Sequence, residues 1–565
     1  MNSIYQKIIE NLSANPPKTE KELLGQIRKI AGKGKIPPPK KADLLKEYHK
    51  MVKKGIISQS PSLELQLKKR AIRTLSGVAP ITVMTAPLSC PSRCLYCPNE
   101  KNMPKSYLSN QPAAMRAVLN DFDPFRQTQT RIQALQQNGH PTDKLEIIIN
   151  GGTWSAHPKR YQTWYILRIF QAANYFEHNE ESPTFFDFKK SKELIREKLS
   201  APRKLEPSLY GADDNDLMKQ LFKEQEINET NQNRIIGITL ETRPDAITPG
   251  EVQRMRLLGA TKVELGVQTL DQEIMDLNRR NQTREQVIEA TRLLKDAGFK
   301  VAYHMMPNLY GSNPEKDIAM FRELFKNPSF QPDFLKIYPC VVVENADLHK
   351  NYQKGDYIPY NNKTLAQTLI EIKKNIPITV RVARLARDIP RESITAGCDI
   401  SNIRELIHKQ MKDQGLSCRC IRCREPKGQS VDLQNLKLFT QAFEASGARE
   451  FFLSFESQDR KTLYAFLRLR LPGTQTKMEE KIPEIKNAAM VRELHTYGKM
   501  QKIDKRVEKN SVQHLGLGKQ LMLKAEKIAR QQSVSKMAVI SGIGTRKYYE
   551  KLGYELKGTY MLKKL

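Results

Sequence analysis

The chain has 565 residues, with 93 Lys and Arg against 62 Asp and Glu, for a formal charge of +31. That length exceeds one ordinary core and implies about two to four domains, and the basic excess favours a polyanionic partner, nucleic acid ahead of a membrane surface, although a generally solvated basic surface would also produce it. No stretch approaches the roughly 20 apolar residues of a membrane span, and Met1-Asn-Ser-Ile-Tyr-Gln-Lys lacks the apolar segment of a secretory signal. Residues 1–79 read as short amphipathic helices with basic faces, such as Lys21-Glu-Leu-Leu-Gly-Gln-Ile-Arg-Lys-Ile. The prolines of Lys33-Gly-Lys-Ile-Pro-Pro-Pro-Lys-Lys41 interrupt them and hold lysines on an extended segment. Phosphate contacts to a folded RNA are the functional reading, a solvated helical face the plain one.

Residues 80–345 alternate short β-branched runs with helix-period segments, the pattern of a βα barrel or an open parallel sheet. Six strands are expected: Ile81–Ala86, Leu145–Asn150, Ile235–Leu240, Lys262–Val267, Lys300–Met305 and Phe334–Tyr338. Directly after the first comes Cys90-Pro-Ser-Arg-Cys94-Leu-Tyr-Cys97. Three thiolates so close can hold an iron–sulfur cluster with one iron left open, and the spacing alone also admits a zinc knuckle or structural cysteines. Polar residues then recur at the strand ends, where parallel barrels keep their chemistry: Gly151-Gly152-Thr153, Glu241-Thr-Arg243-Pro-Asp245, Gln268, His304, Lys336 and Tyr338. The insertion from Phe176 to Asn233 reads as helical and solvent-exposed.

Residues 346–437 form a connector around Cys418-Arg-Cys420-Ile-Arg-Cys423. Three thiolates at this spacing suit tetrahedral zinc, with His408 or a residue from elsewhere as fourth ligand; a second iron–sulfur cluster and unligated cysteines are the alternatives. The eight cysteines thus fall mostly into two triplets, with Cys340 and Cys398 apart. That is metal usage in a reducing compartment, the cytoplasm, and not a disulfide framework.

Residues 438–565 change to β structure with helices. Leu463–Leu471 and Ala488–Tyr497 alternate as strands, and Gln513-His-Leu-Gly516-Leu-Gly518-Lys519 opens a helix with Leu517, Leu521, Ala525 and Ile528 on one face. A glycine loop at a helix N-terminus presents free amides to a pyrophosphate. With the strand Met537–Ser541 and Arg546-Lys-Tyr548-Tyr549-Glu-Lys-Leu-Gly553-Tyr554, this stretch resembles the GNAT acetyltransferases.

The first cysteine triplet has the spacing of the radical S-adenosylmethionine (SAM) enzymes, and a radical SAM barrel fused to a GNAT domain is an unusual pairing. The chain resembles the catalytic subunit of Elongator and its stand-alone prokaryotic relatives along almost its whole length. Arg73-Thr-Leu-Ser-Gly77, Asp123-Pro-Phe125, Leu240-Glu-Thr-Arg-Pro-Asp245, Glu264-Leu-Gly-Val-Gln268, His304-Met-Met-Pro307, Arg492-Glu-Leu-His495, Gln513-His514 and Gly542-Ile-Gly-Thr-Arg546 are among the residues that carry it.

The resemblance implies a partial (β/α)6 barrel plus a GNAT domain, and a tRNA-modifying enzyme that forms 5-carboxymethyluridine at the wobble uridine. Acetyl-CoA would supply the two carbons, and a deoxyadenosyl radical would take hydrogen from the acetyl methyl. Cys90, Cys94 and Cys97 would ligate a [4Fe–4S] cluster fed by an electron donor. SAM would meet Gly151 and Gly152, with Glu241, Arg243 and Gln268 beside it. Acetyl-CoA would contact Lys144, Glu493, Leu494, His495, Thr496, Leu517, Gly518, Lys519 and Tyr549. No residue declares itself as the base for thioester hydrolysis. Trp154, Leu309-Tyr310-Gly311 and Cys398 depart from the usual pattern, which leaves the pocket near Trp154 in question. A GNAT-type protein lysine acetyltransferase and an inactive RNA-binding scaffold are the rival readings.

Overall fold

The computed structural model describes residues 2–68, 77–177, 188–200, 213–400, 402–426, 434–473, 477–497 and 516–565. The expected Gln513-His514 and most of Arg73–Gly77 lie outside them. Of the N-terminal helices Asn2–Ala14, Glu20–Lys33, Lys41–Lys53 and Pro61–Leu67, the second and fourth start where the Thr19 and Ser60 side chains accept from the Glu22 and Leu63 amides. Their apolar stripes, including Ile8, Leu12, Ile27, Leu44 and Tyr48, close into a core of their own. The basic residues are left on the outside of that bundle.

The barrel strands are β1 Ala79–Met84, β2 Lys144–Asn150, β3 Arg234–Thr242, β4 Lys262–Gln268, β5 Lys300–Met305, β6 Phe334–Ile337 and β7 Arg381–Arg384. They pair in chain order, every pair parallel, and make a half-barrel. The six expected strands are all present within a residue or two at most ends. The seventh lies past residue 345, inside the expected connector. Its sequence, Arg-Val-Ala-Arg, carries one fully buried side chain, Val382, so four residues gave no apolar run to recognise.

The insertion also differs from its reading. The helix Asp214–Asn228 packs its Leu217 and Leu221 into the barrel core, and Asn228 bonds the Ile235 amide at the start of β3. It is part of the scaffold because polar Gln225 and Asn228 serve as its buried anchors, which a polarity-based reading counts as solvent-facing.

The second sheet comprises β8 Leu436–Ala445, β9 Ala448–Ser457, β10 Leu463–Arg470, β11 Ala489–Thr496, β12 Lys536–Val539, β13 Glu555–Lys557 and β14 Tyr560–Lys564. Its order is β13-β14-β12-β11-β10-β9-β8, antiparallel except for the pair β11 and β12. The hairpin β8–β9, turned by Ser446 and Gly447 at positive φ, was not anticipated. Against one face lies the helix Leu517–Gln531, which buries Leu517, Leu521, Ala525 and Ile528 as its spacing predicts.

This sheet docks on the end of the half-barrel where the strands begin. Arg256 donates to the Ser541 and Thr559 carbonyls, and Tyr560 to the Ala297 carbonyl. Gly542 presses on the Ile236 backbone so closely that a Cβ there would sit 1.9 Å from its carbonyl oxygen. The two sheets are one packed body at this junction, with the cysteine loop at the opposite end of the strands.

Candidate active site in the barrel lumen

Parallel barrels usually fill their interior with branched apolar side chains. Here the inward positions of successive strands are Glu146 and Asn150 on β2, Lys262 and Glu264 on β4, Lys300 and His304 on β5, and Lys336 on β6, and they line a cavity of about 880 Å³. The cavity runs the length of the strands, from Cys97 and Gln268 at one end to Glu493, Leu494 and His495 of β11 at the other. With β4 as a ruler, seven residues at ~3.3 Å each, that span is roughly 20 Å.

At the first end, Cys90, Cys94 and Cys97 follow β1. Cys94 is buried and the other two are half-buried. The Cys97 thiol donates to Cys94, and this, with Arg280 beside it, outweighs burial and pulls Cys94 down to about 3. The Arg280 and Arg243 guanidinium groups stand 3.5 and 3.9 Å from the Cys94 sulfur. Cys90 lies 3.5 Å from the Thr153 hydroxyl, so the loop rests on the Gly151-Gly152-Thr153 end of β2. A Cβ on Gly151 would collide with Thr85 at 1.9 Å, whereas one on Gly152 would meet only the Lys105 carbonyl at 3.7 Å. The first glycine is needed for packing and the second leaves room. Three soft thiolate donors backed by two buried cations suit an anionic iron–sulfur cluster.

Glu241, Arg243 and Gln268 converge on the same end. Tyr107 donates to Glu241 at 2.6 Å, and Glu241 lies 3.7 Å from His304. Arg243 is committed to Asp245 and to the Arg280 and Asn281 carbonyls, so it holds the loop in place. Gln268 takes a left-handed conformation at φ 73°, and its Oε1 is buried with no protein partner among the described residues. That orphaned acceptor fits a bound donor such as the amine of SAM.

Midway along the lumen, Glu264 accepts from His304 at 3.0 Å and from Lys336. Burial alone would raise its carboxyl; Lys336 and His304 outweigh burial and hold it well below the usual range. Lys262 pairs with Glu146 at 2.7 Å. Sequence reading missed Glu146, Lys262, Lys300 and Arg280. The signal was there in β4, where Lys262, Glu264 and Gln268 alternate with the apolar Val263, Leu265 and Val267.

At the second end, β11 pairs with β12 only from Ala489 to Val491, where β12 ends, and runs on to Thr496 paired with β10 but with its other edge free among the described residues. The start of the helix Leu517–Gln531 stands beside this extension: a Cβ on Gly518 would meet Leu494 and Thr496 at 3.8 and 3.7 Å and the Tyr548 hydroxyl at 2.9 Å. Leu494, Thr496, Leu517, Gly518 and the lumen-lining Tyr549 are thereby brought together, with Lys519 exposed in the first turn, whereas Glu493 on the alternate side of β11 pairs with Arg468. His495 stacks on the Phe466 ring and lies against Tyr497. Burial lowers its pKa, and its Nε2 is buried without a protein partner among the described residues. Lys144 begins β2 on the face that carries Glu146 and Asn150, at the end where Gly544 packs on Arg234, but it does not line the cavity.

The second triplet forms a separate group. The sulfurs of Cys418, Cys420 and Cys423 lie within 4.8 Å of one another, a donor set that fits a metal ion. His408 is close, 3.8 Å from Cys423, but its Nε2 accepts from the buried Lys373 at 3.1 Å, and it stands outside the group of three. Trp154 is 2% exposed and packs edge-on to Tyr165 and His157, so that departure affects the core and not the lumen.

The radical SAM superfamily model matches residues 87–324 and the Radical_SAM C-terminal domain model residues 332–413. The chain is 41% identical over 512 residues to the tRNA uridine(34) acetyltransferase of Methanocaldococcus infernus, covering 88% of each. It is 36% identical over 516 residues to Elongator complex protein 3 of Homo sapiens, covering 88% of this chain and 86% of the relative. The solved structure of the archaeal M. infernus Elp3 with an N-terminal deletion superposes at a TM-score of 0.69 and 38% identity, over 86% of this chain and 99% of that one.

Proposed function

The chain belongs to the family of the tRNA uridine(34) acetyltransferases and Elongator complex protein 3, and from that premise we propose that it is an acyltransferase that carboxymethylates C5 of the wobble uridine of tRNA. The observation that carries the reading is the continuous polar lumen between the cysteine loop and β11. A reaction that joins a two-carbon acyl unit to a base by radical chemistry needs both ends to share one chamber.

Residues 1–79 and the arginines near the cavity mouth, Arg116, Arg384, Arg387 and Arg422, would meet tRNA phosphates. In the barrel, Cys90, Cys94 and Cys97 would hold a [4Fe–4S] cluster, with Arg280 and Arg243 offsetting its charge. Gly151, Gly152, Glu241 and Gln268 would seat SAM. When bound and reduced by an electron donor, these groups supply a carbon radical able to take hydrogen from an unactivated methyl. The extension of β11 past the end of β12, with a glycine at the adjoining helix start, supports a GNAT identity for residues 438–565. Its amides at Leu517, Gly518 and Lys519 would take the acetyl-CoA pyrophosphate. Leu494, His495 and Tyr549 would flank the acyl end, with Lys144 as an outer contact. The connector triplet suits zinc by its all-thiolate donors. The activity and the metal chemistry are those of a cytoplasmic protein. A lysine acetyltransferase is disfavoured because the relatives are named for tRNA uridine modification and the chain carries a radical SAM domain, which lysine acetylation does not need.

The test is anaerobic turnover of cluster-loaded protein with SAM, dithionite, acetyl-CoA and tRNA bearing a wobble uridine, read by nucleoside mass spectrometry. Carboxymethyluridine is expected from the wild type and absent with Cys94→Ala. An absence of modified uridine from fully loaded wild type with bound tRNA overturns the reading.

A further inference from the structure

The lumen contains three lysines on its strands, and two are neutralised by a carboxylate partner. Lys262 pairs with Glu146 and Lys336 with Glu264. Lys300, at the start of β5, is the exception. Its ammonium donates to the Thr261 hydroxyl at 3.4 Å, and among the described residues it has no carboxylate within ion-pair distance. Burial lowers its pKa, offset in part by the charge of Glu493. It lines the same cavity as Glu493, Leu494 and His495, on the barrel side of the chamber.

An ammonium out of bulk water with spare donors is costly unless it meets an anion or a strong acceptor. Among the described residues, Lys262 and Glu146 match one another, as do Lys336 and Glu264, so the surplus is local to this point. Thr261 supplies a second polar group next to it, and the closest strong acceptor of the second sheet, Glu493, is drawn off by Arg468 at 2.9 Å. What remains is a station for one small, negatively polarised oxygen group.

We propose that Lys300, with Thr261 beside it, binds the oxygen of the two-carbon acyl unit, as a thioester carbonyl or as a carboxylate, and so positions that unit in the lumen. This rests on the acyl-CoA reading above. Lys300 is a positioning residue here: it fixes where the acyl carbon lies between β11 and the cysteine end.

Three non-reactive thioethers separate the possibilities by equilibrium binding to the full-length protein. S-Ethyl-CoA has no acyl oxygen, S-acetonyl-CoA has a carbonyl, and S-carboxymethyl-CoA has a carboxylate. Wild type is expected to bind the oxygen-bearing analogues more tightly than S-ethyl-CoA, by roughly ten- to a hundred-fold for a charge-assisted hydrogen bond. Lys300→Met is expected to erase that preference and leave S-ethyl-CoA affinity unchanged, and Lys300→Arg to keep most of it. Should Lys300→Met not fold, Lys300→Gln, which retains polarity without charge, is read the same way. A preference confined to S-carboxymethyl-CoA assigns a free carboxylate; one shared by S-acetonyl-CoA assigns the thioester carbonyl. A neutral variant that keeps the preference overturns the inference alone. Wild type that binds none of the three overturns the acyl-CoA reading and the inference with it.

Discussion

Arg492 and Asp333 are paired across the junction of the two sheets, guanidinium to carboxylate at 3.0 Å, with neither residue more than 2% exposed. The pair exists because of an irregularity in β11. The register with β10 passes from Glu493 opposite Arg468 to Val491 opposite Leu469, leaving Arg492 as the extra residue. A bulge of this kind re-aims a side chain, and Arg492 is turned out of its own sheet towards the barrel. There it also meets Glu450 at 3.0 Å and the Phe299 carbonyl at 2.8 Å.

Asp333 holds more than one cation, since Arg468 lies 3.4 Å away. Asp333→Ala would leave two buried guanidinium groups short of their counter-ion, and breaking a buried pair from one side is expected to destabilise by about 3–5 kcal/mol. Asp333→Asn, which keeps hydrogen-bond acceptors, should lose less. Guanidinium denaturation of the two variants checks this. A loss below about 1 kcal/mol for the alanine variant would mean that the junction does not depend on the pair.

Arg280 connects the strands to the cysteine loop by a different route. It reaches the Cys94 sulfur and the Gly266 carbonyl, and its own carbonyl accepts from Arg243. Arg280→Met keeps all three cysteines but removes a buried positive charge beside one of them. The oxidised cluster is less negative than the reduced one, so loss of the cation should make reduction harder. The expected result is a more negative midpoint potential in a spectroscopic redox titration, with iron content retained in part. An unchanged potential in a fully loaded variant would limit Arg280 to holding the loop.

The connector triplet stands where a bound metal would brace the junction of the two sheets. The Ile421 amide bonds the Val380 carbonyl, and the Ile421 side chain joins a core with Phe452, Phe466 and Tyr497 of the second sheet. Arg381 of β7 bonds Tyr497 at 2.8 Å and pairs with Glu425. A metal on Cys418, Cys420 and Cys423 would therefore clamp β7 between the sheets. Cys420→Ser is expected to lower bound metal from about one ion per chain to a fraction of it. Hydrogen exchange at residues 380–384 should rise in parallel. Protection there that survives metal loss would show that the apolar contacts suffice.

What could be read from the sequence was whatever chemistry is local in the chain. Cys90, Cys94 and Cys97 fall within eight residues, and Gly518 is the second residue of a helix whose apolar spacing is regular; both were legible. The strand-end residues Glu241, Arg243 and Gln268 were legible because a parallel strand fixes which end carries the chemistry. The lumen was not, because the meaning of Glu146 depends on Lys262, 116 positions away, and that of Glu264 on Lys336, 72 positions away. A charge inside a strand reads as an exposed face until its partner is known. Arg492 was hidden for a further reason: its direction comes from the bulge, and no alternation pattern announces a residue that breaks the alternation.

His157 gives the protein a predictable acid response. Its ring packs edge-on between Trp154 and Tyr161, and neither ring nitrogen has a protein partner among the described residues. Burial lowers it to about 4, whereas an unfolded histidine titrates near ~6.5. As pH falls, the unfolded chain takes up the proton first, so stability from this site is whole above about pH 6.5. It declines between about pH 6.5 and about 4 and is gone below the lower value. The gap between the two values corresponds to about 3 kcal/mol. His157→Phe keeps a flat ring between Trp154 and Tyr161 and has nothing to protonate. The melting temperature is expected to drop from pH 7 to pH 4.5 (roughly the two ends of the window) for wild type and to drop less for the variant. An equal acid-induced drop in both proteins would mean that some other buried group controls the response.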